Sequence, residues 1–211
     1  MVGNDVVDLR DPEADPGRLS DRFDERVFCA EERATLTDDS ERRWKLWAAK
    51  EAAYKVAVKQ DPATIFSPSR FRVCLENASE IGFVTWDSGG VPVHVCGGDG
   101  VVHAVAATNS NRLITGLRRL APSSLGSEVQ RSSQAVRSLA VEGLVTALGV
   151  DPCAIEIRKQ GRLPEFFVAG VRAPTDLSLS HHGEIVGFAC EILGVGTSSV
   201  SEPVPVREST A

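Results

Sequence analysis

The sequence has no C-x-x-C pair, no long apolar run and no surplus of positive charge, and each absence removes a class of protein. Its five cysteines, Cys29, Cys74, Cys96, Cys153 and Cys190, are odd in number and widely spaced. Neither a disulfide framework nor a zinc site is indicated, and reduced thiols are expected. A membrane-spanning helix needs about 20 consecutive apolar residues, and no stretch approaches that. The start, "MVGNDVVDLRDPEAD", lacks the basic region and apolar core of a secretion signal. A net charge of −6 argues against general nucleic-acid binding, which exploits a basic surface and counterion release. The expectation is a soluble, cytoplasmic protein. Its 42% hydrophobic content suffices for one substantial core or two small halves packed together.

What is present is an alternation of helix-like and strand-like segments. Val2 to Leu9 reads as a short strand ended by the turn-prone "RDPEADPG". Helices are expected from about Asp21 to Leu36 and from Ser40 to Lys59, followed by the strands "RFRVCLE", "GFVTW", "VPVHVC" and "VVHAVAAT". The polar, arginine-bearing stretch after Thr108 reads as a linker. An amphipathic helix then runs from Ser127 to Leu148, stopped by Gly149 and Pro152, before "AIEIRK", "EFFVAG", "DLSLS" and "IVGFACEI". The same order of elements occurs twice. The expected fold class is therefore α+β, with two similar halves, each a long helix on a small antiparallel sheet. The expected divisions are residues 1–110, a linker at 111–126, a second half at 127–195 and a mobile tail at 196–211.

Three clusters carry chemistry. In "WAAKEAAYK", Trp47, Glu51 and Lys55 share one helical face among small and apolar neighbours. The pattern alone fits either an ordinary i,i+4 surface pair or a site. In "VGNDVVDL", Asp5 lies inside a strand-like run, where a carboxylate is costly unless paired or metal-bound, or else sits at an edge or turn. Alternation puts Asp5 and Val7 on one face and Asp8 on the other. Asp5 and Glu51 together could hold Mg²⁺ against a substrate's phosphates, with Lys50 and Lys55 neutralising phosphate charge. In "LSLSHHGEIVGFA", the adjacent His181 and His182 point to opposite faces and are poor joint ligands for one metal.

Taken in order, G-x-D at Asp5, W-x-x-K-E-A-x-x-K from Trp47 to Lys55 and S-x-S-H ending at His181 resemble the 4′-phosphopantetheinyl transferase superfamily. "FCAEERATL" resembles that family's F-x-x-x-E-x-x-x-L helix, and "GRLPEF" resembles its G-K-P segment. The resemblance implies transfer of the phosphopantetheine arm of coenzyme A to a serine of an apo carrier protein, with release of 3′,5′-ADP and with Mg²⁺ on the pyrophosphate. It implies Asp5 and Glu51 as metal ligands and Lys50 and Lys55 as phosphate contacts. Ser180, His181 and Arg162 would bind the nucleotide phosphates, and the base would be Glu51, Glu32 or a metal-bound water.

Two features depart from the larger, two-halved members of that family. They carry an acid two places after the first Asp, where this chain has Val7, and their S-x-S-H half comes first. The smaller holo-acyl-carrier-protein synthase type manages with the Asp and the Glu alone and shares the motif order seen here. The length favours a monomeric pseudo-dimer with exchanged halves and the site in the cleft between them. The alternative is a non-catalytic module that binds coenzyme A or a carrier protein, which Val7 favours.

Overall fold

Two 21-residue helices, each lying on its own antiparallel sheet, organise the chain. The computed structural model describes residues 1–20, 22–36, 40–75, 80–109, 113–122, 127–161 and 163–192. The first part contains β1 (Val2–Asp8), α1 (Phe23–Val27), α2 (Ala30–Arg33), α3 (Ser40–Gln60), β2 (Arg72–Leu75), β3 (Ile81–Trp86), β4 (Gly89–Gly98) and β5 (Val101–Ala107). Then follow β6 (Leu113–Arg119), α4 (Glu128–Leu148), β7 (Ile155–Gln160), β8 (Leu163–Val168), β9 (Val171–Arg172), β10 (Thr175–His182) and β11 (Ile185–Ile192). The sheets are β1-β5-β4-β3-β2, β10-β11-β6 and β7-β8-β9. The architecture is mixed α and β with antiparallel sheets. No helix among the described residues is long and apolar enough to cross a membrane.

Small side chains let α3 lie close to its sheet. Ala48, Ala49, Ala52, Ala53, Val56 and Ala57 are buried against Val91, Val93, Val95, Val102, Ala104 and Ala106. At Gly3 the approach is so close that a Cβ would stand 2.0 Å from the Ala52 carbonyl oxygen, so any other residue would push β1 off the helix. On the second sheet, α4 buries Val136, Leu139, Ala140 and Leu144 against Leu177, Val186, Phe188 and Cys190.

Two expectations are corrected. The helix expected over 21–36 is interrupted: Phe28 is extended, and the Glu32 carboxylate accepts the Cys29 amide to start α2 as a separate turn. The linker expected at 111–126 contains β6, paired with β11 along its whole length. Its arginines and its lack of apolar–polar alternation disguise the strand, and Gly116 gives way to the Phe188 ring, which a Cβ would approach to 2.4 Å. The tail expected at 196–211 lies outside the described residues.

His103 on β5 gives this fold a pH dependence. It is 7% exposed, its Nε2 has no hydrogen-bond partner among the described residues, and burial pushes its pKa down to about 4. A histidine neutral when folded takes up a proton on unfolding below its ordinary value of 6.5, so its stability contribution is complete above that pH. Between about 6.5 and 4 it is lost, by roughly 3 kcal/mol over the window. Urea midpoints measured against pH should fall over that window, and His103→Gln should flatten the fall.

Candidate active site

The seam between the two sheets is built from β1 and β10, which run parallel without forming a backbone ladder. The amides of Val2, Asn4 and Asp8 donate instead to Asp176 Oδ2 (2.6 Å), Ser178 Oγ (3.0 Å) and His182 Nδ1 (3.2 Å). The outward carbonyls of the same strand go to lysines of α3. Lys59 Nζ donates to the Val2 carbonyl (2.7 Å) and Asp176 Oδ1 (2.7 Å), and Lys55 Nζ donates to the Asn4 carbonyl (2.6 Å). Edge groups that would otherwise be unsatisfied are thereby paired with side chains.

This stripe of α3 brings together Asp5, Glu51 and Lys55. Lys55 Nζ also donates to Asp5 Oδ1 at 3.0 Å. Burial raises the Asp5 pKa even though Lys55 opposes it. Burial, and then the charge on Asp5, push Glu51 up to about 7, again against Lys55. No donor among the described residues reaches the Glu51 carboxylate, unlike that of Asp5. Two partly desolvated carboxylates repel each other, and one lysine neutralises only part of their charge. Hard oxygen donors in such surroundings suit Mg²⁺, so Asp5 and Glu51 fit the ion that the sequence resemblance implies.

The structure corrects the roles expected for Lys50 and Glu32. Lys50 is 0% exposed and Glu32 4%. The Lys50 ammonium donates to both Glu32 oxygens (2.8 and 2.7 Å), to the Pro68 carbonyl (3.1 Å) and to that of Phe71. Glu32 also accepts the amides of Cys29 and Val73. With its donors committed, Lys50 cannot serve as a phosphate contact, and Glu32, ringed by donors, cannot serve as a base. The pair joins α2, α3 and the start of β2 inside the protein.

Val7, where the larger relatives have an acid, is buried in the core beneath α3. Asp8 faces the other way, as alternation requires, and accepts both Arg119 Nη1 (3.1 and 3.0 Å) and the Glu184 amide (3.2 Å). Ser180 is 7% exposed and accepts Asn4 Nδ2 at 3.1 Å. His181 is exposed and His182 half-buried. Arg162 lies outside the described residues.

The seam residues Asn4, Lys59 and Asp176 escape sequence reasoning. Only Lys59 leaves a signal, as the next i+4 step after Glu51 and Lys55. Asp11, Glu13 and His182 also cluster, with their ligand atoms within 4.8 Å of one another. Because His182 Nδ1 accepts the Asp8 amide, the neutral ring carries its proton on Nε2, the nitrogen nearer Glu13. That nitrogen has no lone pair to offer a metal.

A lysine-braced carboxylate pair between a strand and a helix is chemistry suited to a phosphate-transferring enzyme. The family model described as the 4′-phosphopantetheinyl transferase superfamily matches residues 1–106, half of the chain, and the chain belongs to that superfamily. The match includes Asp5, Glu32, Lys50, Glu51 and Lys55 but not the S-x-S-H strand. Among solved structures the chain is similar to the holo-[acyl-carrier-protein] synthase of Thermotoga maritima, at 14% identity and a TM-score of 0.34, covering 81% of this chain and 83% of that one. No curated protein matches.

Proposed function

We propose that the protein transfers the 4′-phosphopantetheine arm of coenzyme A to a serine of an apo carrier protein, giving the holo carrier protein and 3′,5′-ADP. The observation that carries this reading is the assembly of Asp5, Glu51 and Lys55 between β1 and α3, with no donor among the described residues reaching the Glu51 carboxylate. Asp5 and Glu51 would hold Mg²⁺, which when bound supplies neutralisation of pyrophosphate charge. Lys55 orients Asp5 and presents positive charge to a phosphate oxygen. The serine oxygen forms a bond to the pantetheine-bearing phosphorus, the pyrophosphate bridge to the nucleotide breaks, and the serine proton passes to a base. The work left to the protein is positioning and charge complementarity. Of the residues expected at the nucleotide end, His181 is assigned there with Arg162, while Ser180, buried and accepting Asn4 Nδ2, holds the strand end that carries His181.

The chain is read as a monomeric pseudo-dimer whose halves meet at the β1–β10 seam. In support, the order first strand, last strand, penultimate strand recurs as β1-β5-β4 and β6-β11-β10. The second half is taken to begin at β6, and the site to lie in the cleft. Light scattering should give the mass of one chain; a trimer mass would move the site between subunits.

The test of the activity is incubation with coenzyme A, Mg²⁺ and a panel of apo carrier proteins, read by intact mass. Binding of coenzyme A or a carrier without transfer would favour the non-catalytic reading, which the apolar Val7 supports.

A further inference from the structure

We infer that Asn4 is a positioning residue that couples the Asp5–Glu51 carboxylates to the strand end bearing Ser180 and His181. This inference rests on the transferase reading for the identity of its ligand. Asn4 is 0% exposed and is the node of the seam. Its amide donates to Ser178 Oγ, its carbonyl accepts Lys55 Nζ, and its Nδ2 donates to Ser180 Oγ. Lys55 in turn donates to Asp5 Oδ1. A continuous chain of hydrogen bonds therefore runs from Ser180 through Asn4 and Lys55 to Asp5.

The side chain of Asn4 is an unfavourable choice for stability alone. Its Oδ1 is buried and has no hydrogen-bond partner among the described residues, and such an oxygen loses water without replacement. A valine would avoid that loss while keeping both backbone contacts. Ser180, too, breaks the pattern of β10. Asp176, Ser178 and His182 cap amides of β1, whereas Ser180 accepts the Asn4 side chain. What this link adds is a fixed relation between two places that one coenzyme A molecule would span, its pyrophosphate at Asp5 and Glu51 and its 3′-phosphate at His181. Small displacements of one phosphate site from the other would weaken the binding of a ligand held at both.

The experiment compares wild type, Asn4→Val, Ser180→Ala and the double variant by calorimetric titration with coenzyme A and with 3′-dephospho-coenzyme A in Mg²⁺, alongside thermal melts. The double variant removes both polar partners together, so its Tm should equal or exceed that of the wild type. Its preference for coenzyme A over the 3′-dephospho form should nevertheless fall about tenfold. Each single variant should show the same fall, because the two residues act through one bond. An unchanged preference in the double variant would make Asn4 a packing residue. Additive losses would mean that Ser180 meets the nucleotide independently of Asn4. Because binding is read and not turnover, a wild type that binds coenzyme A but transfers nothing would overturn the transferase reading alone; failure of the wild type to bind coenzyme A would overturn both.

Discussion

Lys50→Met should cost the fold about 3–5 kcal/mol, the range for removing one partner of a buried ion pair, because it leaves Glu32 charged and buried with no counterion. Burial already lowers the Lys50 pKa, and the hydrogen bond and charge of Glu32 oppose that shift. A typical domain has about 5–15 kcal/mol in total, so the variant should be marginal at 37 °C. Adding Glu32→Gln removes the stranded charge, and the double variant should recover most of the loss. Urea midpoints of the two singles and the double give the coupling directly. Loss of less than about 1 kcal/mol in Lys50→Met would mean that the pair does not hold α2, α3 and β2 together.

The second large effect should separate activity from stability. Glu51→Gln keeps the shape of the side chain but removes a charge that the folded protein disfavours. The folded pKa of about 7 lies above the ordinary 4.5, so the unfolded chain gives up this proton first. Stability is therefore lost as pH rises from about 4.5 to 7, and at pH 8 without metal the glutamine variant should melt above the wild type. Mg²⁺ should raise the Tm of the wild type and leave that of the variant nearly unchanged. Turnover should fall roughly a thousandfold, about 4 kcal/mol of transition-state stabilisation, and Asp5→Asn should cost a similar factor. A variant less stable than the wild type at pH 8 in chelator would show that Glu51 is a structural carboxylate.

The large elements were legible in the sequence because their signals are local. β1, α3, α4 and β11 lie within a residue or two of their expected bounds, since helix formers, strand alternation and the Gly149 stop act over a few residues. β6 was hidden by its setting: arginines and polar neighbours mask Leu113, Ile114 and Leu117, which become a strand only because β11 supplies a partner. Asp5, Glu51 and Lys55 could be chosen as candidates because apolar surroundings make a charge conspicuous. The same argument misled at Lys50, whose neighbours are equally apolar. Only the fold reveals that Glu32, 18 residues earlier, fills that space. The seam contacts span even longer separations, 174 residues for Asn4 and Ser178 and 176 for Asn4 and Ser180, and no local pattern encodes them.

The most direct test is intact-mass analysis of apo carrier proteins after incubation with coenzyme A and three samples: wild type with Mg²⁺, wild type with chelator, and Glu51→Gln with Mg²⁺. The expected result is a carrier gaining one phosphopantetheine, with 3′,5′-ADP in equal amount, in the first sample alone. Equal modification in all three samples would contradict the assignment of Asp5 and Glu51, and no modification of any carrier by the wild type would contradict the transferase itself.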